Sequence, residues 1–150
     1  MEKVSTGTMM KEPKQMMDAG EAMSEPMMFK GVQLAGKTAP LLDFTKADYD
    51  AATKSGKLVV LYFYANWCPI CKGEFPKMVD AFNGYTGSDV VGFRVNYKDS
   101  DTDTDERALA TTFGIAYQHT KVFVKNGTQV LKAPDGWDTA RYLSEIASHQ

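Results

Sequence analysis

One short segment restricts the possible folds of this chain most: a strand that runs directly into a helix across a Cys-x-x-Cys sequence. Residues Lys57–Tyr64 are mostly apolar, β-branched or aromatic, which is typical of a strand covered on both faces. Over Cys71–Tyr85, apolar side chains recur at three- and four-residue spacing, which predicts an amphipathic helix. The recurring residues are Phe75, Met78, Val79 and Phe82. The residues between, Trp67–Cys71, form the turn of a strand–turn–helix unit.

The two cysteines of this turn, Cys68 and Cys71, are the only two in the chain. A bridge between them would close a very short loop and would restrain little of the unfolded chain. A structural zinc site usually needs four protein ligands, and the sequence has no second Cys-x-x-Cys or His pair to supply them. The pair is therefore better explained by chemistry than by stability.

The position of Cys68 at the start of a helix predicts its reactivity. Backbone N–H groups at a helix N-terminus stabilise a nearby anion, so we expect an exposed Cys68 sulfur with a lowered pKa. Its thiolate would be the nucleophile that attacks a disulfide. Cys71 would resolve the mixed disulfide formed at Cys68, and this exchange needs no cofactor.

Further elements predict an α/β fold with a central mixed sheet and helices on both faces. Asn126-Gly127 between two apolar runs is a strong signal for an antiparallel hairpin. Thr45 and Asp138 are candidate N-caps of helices. The other predicted elements are a second buried strand at Val90–Tyr97, a helix at Arg107–Phe113, hairpin strands at Thr120–Lys125 and Thr128–Lys132, and a last helix at Thr139–Ser148.

Several motifs within residues 42–148 resemble the thioredoxin superfamily in order and spacing. They are the strand and turn at Tyr62–Lys72, Pro76 in the following helix, Phe113–Ile115, the hairpin at Val122–Gly127 and Gly136 before the last helix. The resemblance implies a thioredoxin fold and a thiol–disulfide oxidoreductase that uses Cys68 and Cys71. It also implies protein disulfide or dithiol substrates and an upstream redox partner.

The resemblance assigns roles to residues around the cysteines as well. Trp67 is expected to be a partly exposed aromatic residue that meets the substrate. Pro69 and Ile70 replace the Gly-Pro of typical thioredoxins, at positions that tune the reduction potential in this family.

Two positions depart from the family pattern. His119 occupies the position of a family cis-proline, and its peptide bond is expected to be trans because a non-proline cis bond costs roughly 3 kcal/mol or more. His119 could orient substrate or handle protons near pH 7. Alternatively, Cys68, Cys71 and His119 could bind Cu(I) or Zn(II), which would make the chain a copper or zinc carrier. Tyr62 occupies the position of the family's buried acid. Because both the proline and the acid are missing, a binding protein that keeps the fold but has little turnover is a third hypothesis.

The N-terminal residues 1–38 differ in composition from the predicted domain at 39–150. They contain eight of the nine methionines and only one aromatic residue, Phe29. We interpret this segment as a flexible leader or tether, with a short helix around Lys14–Met23. Its thioethers are either flexible apolar filler or soft ligands for Cu(I).

Charge and hydropathy exclude other classes. A net charge of −2 without clustered Lys and Arg argues against nucleic-acid binding. The longest apolar run, Leu58–Ala65, is far shorter than the roughly 20 residues of a membrane helix. The acidic stretch Asp99–Glu106 lacks the spacing of a calcium loop and is explained by acids at a helix N-terminus. No signal peptide is visible, which leaves a cytoplasmic protein and a processed, exported one as the two possibilities.

Overall fold

The computed structural model describes residues 29–150, in which the strands form one six-stranded mixed sheet. The strands are β1 (Gln33–Ala35), β2 (Leu41–Asp43), β3 (Leu58–Tyr64), β4 (Val90–Asn96), β5 (Lys121–Lys125) and β6 (Thr128–Ala133). The helices are α1 (Lys46–Lys54), α2 (Pro69–Gly84), α3 (Thr104–Thr112) and α4 (Thr139–Ser148). The predicted mixed sheet and the predicted hairpin, β5–β6, are both present.

Strand β3 occupies an inner position in the sheet, whose order is β1-β2-β4-β3-β5-β6. It pairs in parallel with β4 along its whole length and antiparallel with β5. Because both of its edges are hydrogen-bonded, the end of β3 and the turn that follows it have a fixed position in the sheet.

Both faces of the sheet are covered by helices, and alternate residues of β3 enter two separate cores. Leu58, Val60 and Tyr62 pack in the core that includes residues of α2 and α4. Val59, Leu61 and Phe63 pack in the core that includes residues of α1 and α3. This explains the nearly continuous apolar sequence of the strand, since six of its seven residues are buried.

The helix ends follow local chemistry. The side chains of Thr45 and Asp138 accept backbone N–H groups at the starts of α1 and α4, which confirms both predicted N-caps. Helix α2 begins at Pro69, earlier than predicted, because Cys68 is itself the N-cap and proline is well suited to a first helical position. No helix within residues 29–150 is long and apolar enough to cross a membrane.

The ordered sheet begins earlier than the leader boundary that we predicted at residue 38. Gln33–Ala35 form β1, which pairs antiparallel with β2. The Asp48 carboxylate accepts the backbone N–H groups of Lys30 and Gly31 at 2.8 and 2.7 Å and fixes the start of this segment to α1. The methionine cluster and the predicted short helix at Lys14–Met23 lie outside the described residues.

A substitution at Gly92 in β4 tests how tightly the core is packed. A Cβ atom at this position would lie 2.5 Å from Cζ of Phe82 and 2.9 Å from Cδ1 of Leu41. We therefore expect Gly92→Ala to lower the free energy of unfolding by about 1–3 kcal/mol, measured by urea denaturation. Gly84→Ala is the matched control, because nothing lies within 4 Å of its added carbon, and its effect should stay within about 0.5 kcal/mol. Equal stability of the Gly92 variant and the parent chain would contradict this account.

Candidate active site

The cysteine pair lies where β3 ends and α2 begins. Cys68 is the N-cap of α2, with extended backbone angles, and its sulfur accepts the backbone N–H of Cys71 at an N···S distance of 3.3 Å. The backbone N–H of Cys68 donates to the carbonyl of Ala65 at 3.1 Å and closes the turn. Both cysteines are free thiols, so the structure describes the reduced dithiol.

The sulfur of Cys68 is not exposed, contrary to our expectation. Only 1% of the Cys68 surface is accessible, whereas its neighbours Trp67 and Ile70 are 54% and 57% exposed. The sulfur points back toward the first turn of α2, where it serves as the helix cap, and this orientation buries it. A disulfide substrate can therefore reach Cys68 only after the surrounding side chains shift.

The hydrogen bonds around Cys68 nevertheless favour its thiolate. Burial alone would raise the pKa of Cys68, but the Cys71 thiol, the Gln118 side chain and the backbone N–H groups of Ile70 and Cys71 lower it. The net effect is a Cys68 pKa below that of an ordinary thiol, as the position at the helix N-terminus predicted. Sequence reasoning missed Gln118, because only the fold brings its loop to the cysteine.

Cys71 has the opposite character. It is completely buried, and this burial raises its pKa to about 11. The nearby Cys68 sulfur raises the pKa of Cys71 further, whereas the backbone of Ala65 and the hydroxyl of Tyr62 lower it. The pair thus consists of one thiol that ionises readily and one that holds its proton.

The turn that carries Cys68 is fixed by the loop after β4. The indole N–H of Trp67 donates to the carbonyl of Lys98 at 2.9 Å, and the backbone N–H of Asn66 donates to the Asp99 carboxylate at 2.8 Å. The side-chain amide of Asn66 also donates to Asp101 at 3.0 Å. The acidic stretch therefore has a structural role that its sequence did not indicate. Its later part caps α3, through a reciprocal pair of hydrogen bonds between Asp103 and Glu106.

His119 lies at the start of β5. Its peptide bond is trans, and its φ of 56° is in the left-handed region. Its backbone N–H donates to the carbonyl of Phe63 at 2.7 Å, and its own carbonyl accepts from the Lys121 ammonium at 2.9 Å. A role for the imidazole in tuning the site stays a prediction.

The alternative to disulfide exchange is a metal site at the cysteine pair. Within residues 29–150, no three His, Cys, Asp or Glu side chains are grouped closely enough to hold a metal ion. Binding of Cu or Zn by Cys68, Cys71 and His119 stays a prediction.

An apolar surface surrounds the cysteine pair. The large hydrophobic side chains exposed there are Trp67, Ile70 and Tyr117, of which Tyr117 is 63% exposed. Trp67 is thus partly exposed, as predicted. Tyr117 precedes Gln118, the residue that donates to Cys68, so all three lie in segments that adjoin the sulfur.

Behind the cysteines lies a buried ion pair that the sequence analysis did not identify. The Lys121 ammonium of β5 lies 2.7 Å from the Glu74 carboxylate of α2, and the two side chains are 0% and 4% exposed. One signal was available: Cys71, Glu74 and Met78 share one helix face by their spacing, so Glu74 interrupts an apolar stripe. A second ion pair joins neighbouring strands, where the Arg94 guanidinium of β4 lies 3.6 Å from the Asp43 carboxylate of β2.

Comparison with known proteins agrees with this geometry. Residues 40–148 match the model of the thioredoxin family. The chain is 34% identical to Thioredoxin H4 of Arabidopsis thaliana over 91 residues, which cover 60% of this chain and 70% of that protein. It is 33% identical to a thioredoxin of Malassezia sympodialis over 102 residues, covering 67% of this chain and 90% of the relative.

Solved structures show the same fold. The structure of Trxlp from Edwardsiella tarda matches with a TM-score of 0.59 at 24% identity, over 71% of this chain and 97% of that one. The Malassezia sympodialis thioredoxin structure matches with a TM-score of 0.58 at 23% identity, over 83% and 98% of the two chains. The strand–turn–helix unit with its dithiol defines a thioredoxin-fold disulfide oxidoreductase. This chain belongs to the thioredoxin family.

The hydrogen bonds around Cys68 predict a two-step titration. As the pH of the reduced protein is raised, the ultraviolet absorbance of thiolates should increase in two steps. The first step comes from Cys68 and should lie below the pKa of an ordinary thiol, whereas the second comes from Cys71, whose pKa is about 11. Gln118→Ala removes a donor to the Cys68 sulfur, so the first step should move to higher pH, while Gln129→Ala on exposed β6 should leave it in place. An unchanged first step in the Gln118 variant would show that the side chain does not stabilise the thiolate.

Proposed function

We propose that this protein exchanges disulfides with protein substrates, with Cys68 as the nucleophile and Cys71 as the resolving thiol. The observation that carries the proposal is the unequal pair: hydrogen bonds lower the pKa of Cys68, while burial raises the pKa of Cys71 to about 11. Such a pair supplies one thiolate for attack and keeps the second thiol protonated until it is needed.

The exchange conserves atoms and electrons without a cofactor. The Cys68 thiolate attacks one sulfur of the substrate disulfide, a new S–S bond forms, and the other substrate sulfur leaves as a thiolate. Cys71 then loses its proton and attacks the sulfur of Cys68. The bond from Cys68 to the substrate breaks, the second substrate thiolate leaves, and the protein retains a Cys68–Cys71 disulfide. The substrate has gained two electrons, and the dithiol has lost them.

The surface around the cysteines supports a protein substrate rather than a small disulfide. Exposed Trp67, Ile70 and Tyr117 provide apolar contact area next to Cys68. Such contacts would also supply binding energy to move the side chains that cover the sulfur. Pro69 and Ile70 lie between the cysteines, where Pro69 starts α2 and Ile70 contributes a backbone N–H to Cys68.

Turnover requires a second redox partner. After one exchange the protein holds a disulfide, and a dithiol partner must reduce it before the next cycle. The same pair can run in the opposite direction if the partner is an oxidant, because the direction follows from the reduction potential of the pair relative to its surroundings.

The proposal is tested by insulin reduction with dithiothreitol as the electron donor. The protein should accelerate reduction, and Cys68→Ser should lower the rate to that of dithiothreitol alone, since it removes the attacking thiolate. Reduced Cys71→Ser that is mixed with insulin after removal of dithiothreitol should instead accumulate a covalent complex, visible on a non-reducing gel, because attack proceeds and resolution does not.

The matched control is Ser148→Cys in the Cys68→Ser background, which adds a thiol at the end of α4, far along the chain from the active-site turn. It should restore neither activity nor the covalent complex. Insulin reduction by Cys68→Ser at the parent rate would refute the assigned nucleophile.

A further inference from the structure

A buried cation lies directly behind the cysteine pair. Lys121 is fully buried, and its Nζ atom donates to the Glu74 carboxylate at 2.7 Å, to the carbonyl of His119 at 2.9 Å and to the carbonyl of Asp135. An ammonium has three N–H donors and no acceptor, so three acceptors at this nitrogen fit the protonated form. The Tyr142 hydroxyl donates to the same carboxylate oxygen of Glu74.

Geometry connects this cation to Cys71 through Tyr62. Lys121 is the direct cross-strand partner of Tyr62, so their side chains share one face of the sheet. The Lys121 Nζ lies 5.7 Å from the centre of the Tyr62 ring. The Tyr62 hydroxyl lowers the pKa of Cys71, and within residues 29–150 no group lies at normal hydrogen-bond geometry to this hydroxyl. Burial lowers the pKa of Lys121, whereas its hydrogen bond to Glu74 and the charges of Glu74, Asp135 and a Cys71 thiolate favour its ammonium form.

The resolving step, in which Cys71 attacks the mixed disulfide, creates a negative charge in the buried region around Glu74 and Lys121. Before the step, Cys71 is a neutral thiol and the Glu74–Lys121 pair has no net charge. Loss of the Cys71 proton to bulk water would leave an additional buried anion, which is costly without a counter-charge. If Glu74 takes the proton instead, the cluster keeps zero net charge and the ammonium becomes the partner of the thiolate.

Glu74 is placed for such an exchange. Its Oε2 atom holds Lys121 and Tyr142, while its buried Oε1 atom has no hydrogen-bond partner among the described residues. The residue also lines a groove of about 440 Å³ together with Ile70, Gly136 and Trp137. A polar groove of this size can admit water to the carboxyl group, so a proton taken up by Glu74 can leave to solvent.

We propose that Lys121 is a positioning residue for the resolving step, as the counter-charge of the Cys71 thiolate, and that Glu74 accepts the Cys71 proton. The inference rests on the proposed function. The proton moves from Cys71 to the Glu74 carboxylate, and the sulfur electron pair forms the bond to Cys68. The Cys68–substrate bond breaks, the substrate leaves as a thiolate, and Glu74 releases its proton into the groove. The substrate disulfide is the only oxidant.

Several titratable or charged groups surround the ammonium and must be considered in any pH profile. They are Tyr62 of β3, Cys71 and Glu74 of α2, Asp135 after β6, Tyr142 of α4, and Arg141, which lies across the Trp137 ring from Lys121. Burial, followed by the charge of Glu74, raises the pKa values of Tyr62 and Tyr142 above that of a free tyrosine, so both stay neutral at neutral pH.

The test is the pH dependence of the resolving step alone. In a single turnover with a reporter disulfide, release of the first substrate thiol reports attack by Cys68, and release of the second reports resolution by Cys71. The double variant Glu74→Gln/Lys121→Met removes both charges together, so it leaves no unpaired buried charge that would prevent folding. We expect its second release to be about tenfold slower or more at neutral pH and to rise in proportion to hydroxide, with the first release unchanged.

Two further variants separate charge from packing. Lys121→Arg keeps a buried cation and should resolve within about threefold of the parent rate, with the parent pH profile. Lys46→Met removes a lysine from the exposed pair with Asp50 and should change neither release.

Two results would overturn the inference: a double variant with the parent rate and profile, or one slowed equally at every pH, which would indicate a structural role only. If the parent protein released neither thiol, the proposed function would fail first, and this inference with it.

Discussion

The continuous pairing of β3 with strands on both sides is the constraint on which the site depends. All seven of its residues pair with β4, five of them also pair with β5, and six of the seven are buried. A strand fixed in this way ends at a defined point, so the turn from Ala65 to Cys68 begins from a rigid support. The first turn of α2 can then place its N–H groups around one sulfur. A looser strand would leave the same sequence with an ordinary thiol.

Two sets of polar contacts, one on each side of the turn, complete the site. On the outer side, the loop after β4 holds Trp67 and Asn66 through Lys98, Asp99 and Asp101. On the inner side, Glu74 and Lys121 form a buried pair behind Cys71. The outer contacts fix the position of the turn, whereas in our proposal the inner pair supplies the counter-charge for the Cys71 thiolate. Tyr62 lies between the inner pair and Cys71, at the position where the family resemblance leads one to expect an acid.

Local signals were sufficient for much of the fold. The two core strands, the hairpin at Asn126-Gly127 and the caps at Thr45 and Asp138 were all identified correctly, because periodicity, turn chemistry and capping act over a few residues. Strand β1 was not predicted, since it is only three residues long and is stabilised by its pairing with β2 rather than by its own sequence. The exposure of Cys68 was also wrong, because the direction of a capping side chain depends on the donors around it.

The sequence by itself determined the strand–turn–helix unit, the placement of both cysteines in its turn and the absence of the family's proline and acid from positions 119 and 62. These are matters of spacing within short segments. Only the tertiary structure decided that Gln118 donates to Cys68, that the acidic loop holds the active-site turn, and that Lys121 and Glu74 meet 47 residues apart in the chain. The physical reason is that a hydrogen bond or ion pair between distant segments depends on sheet register and helix placement, and neither leaves a local pattern in the sequence.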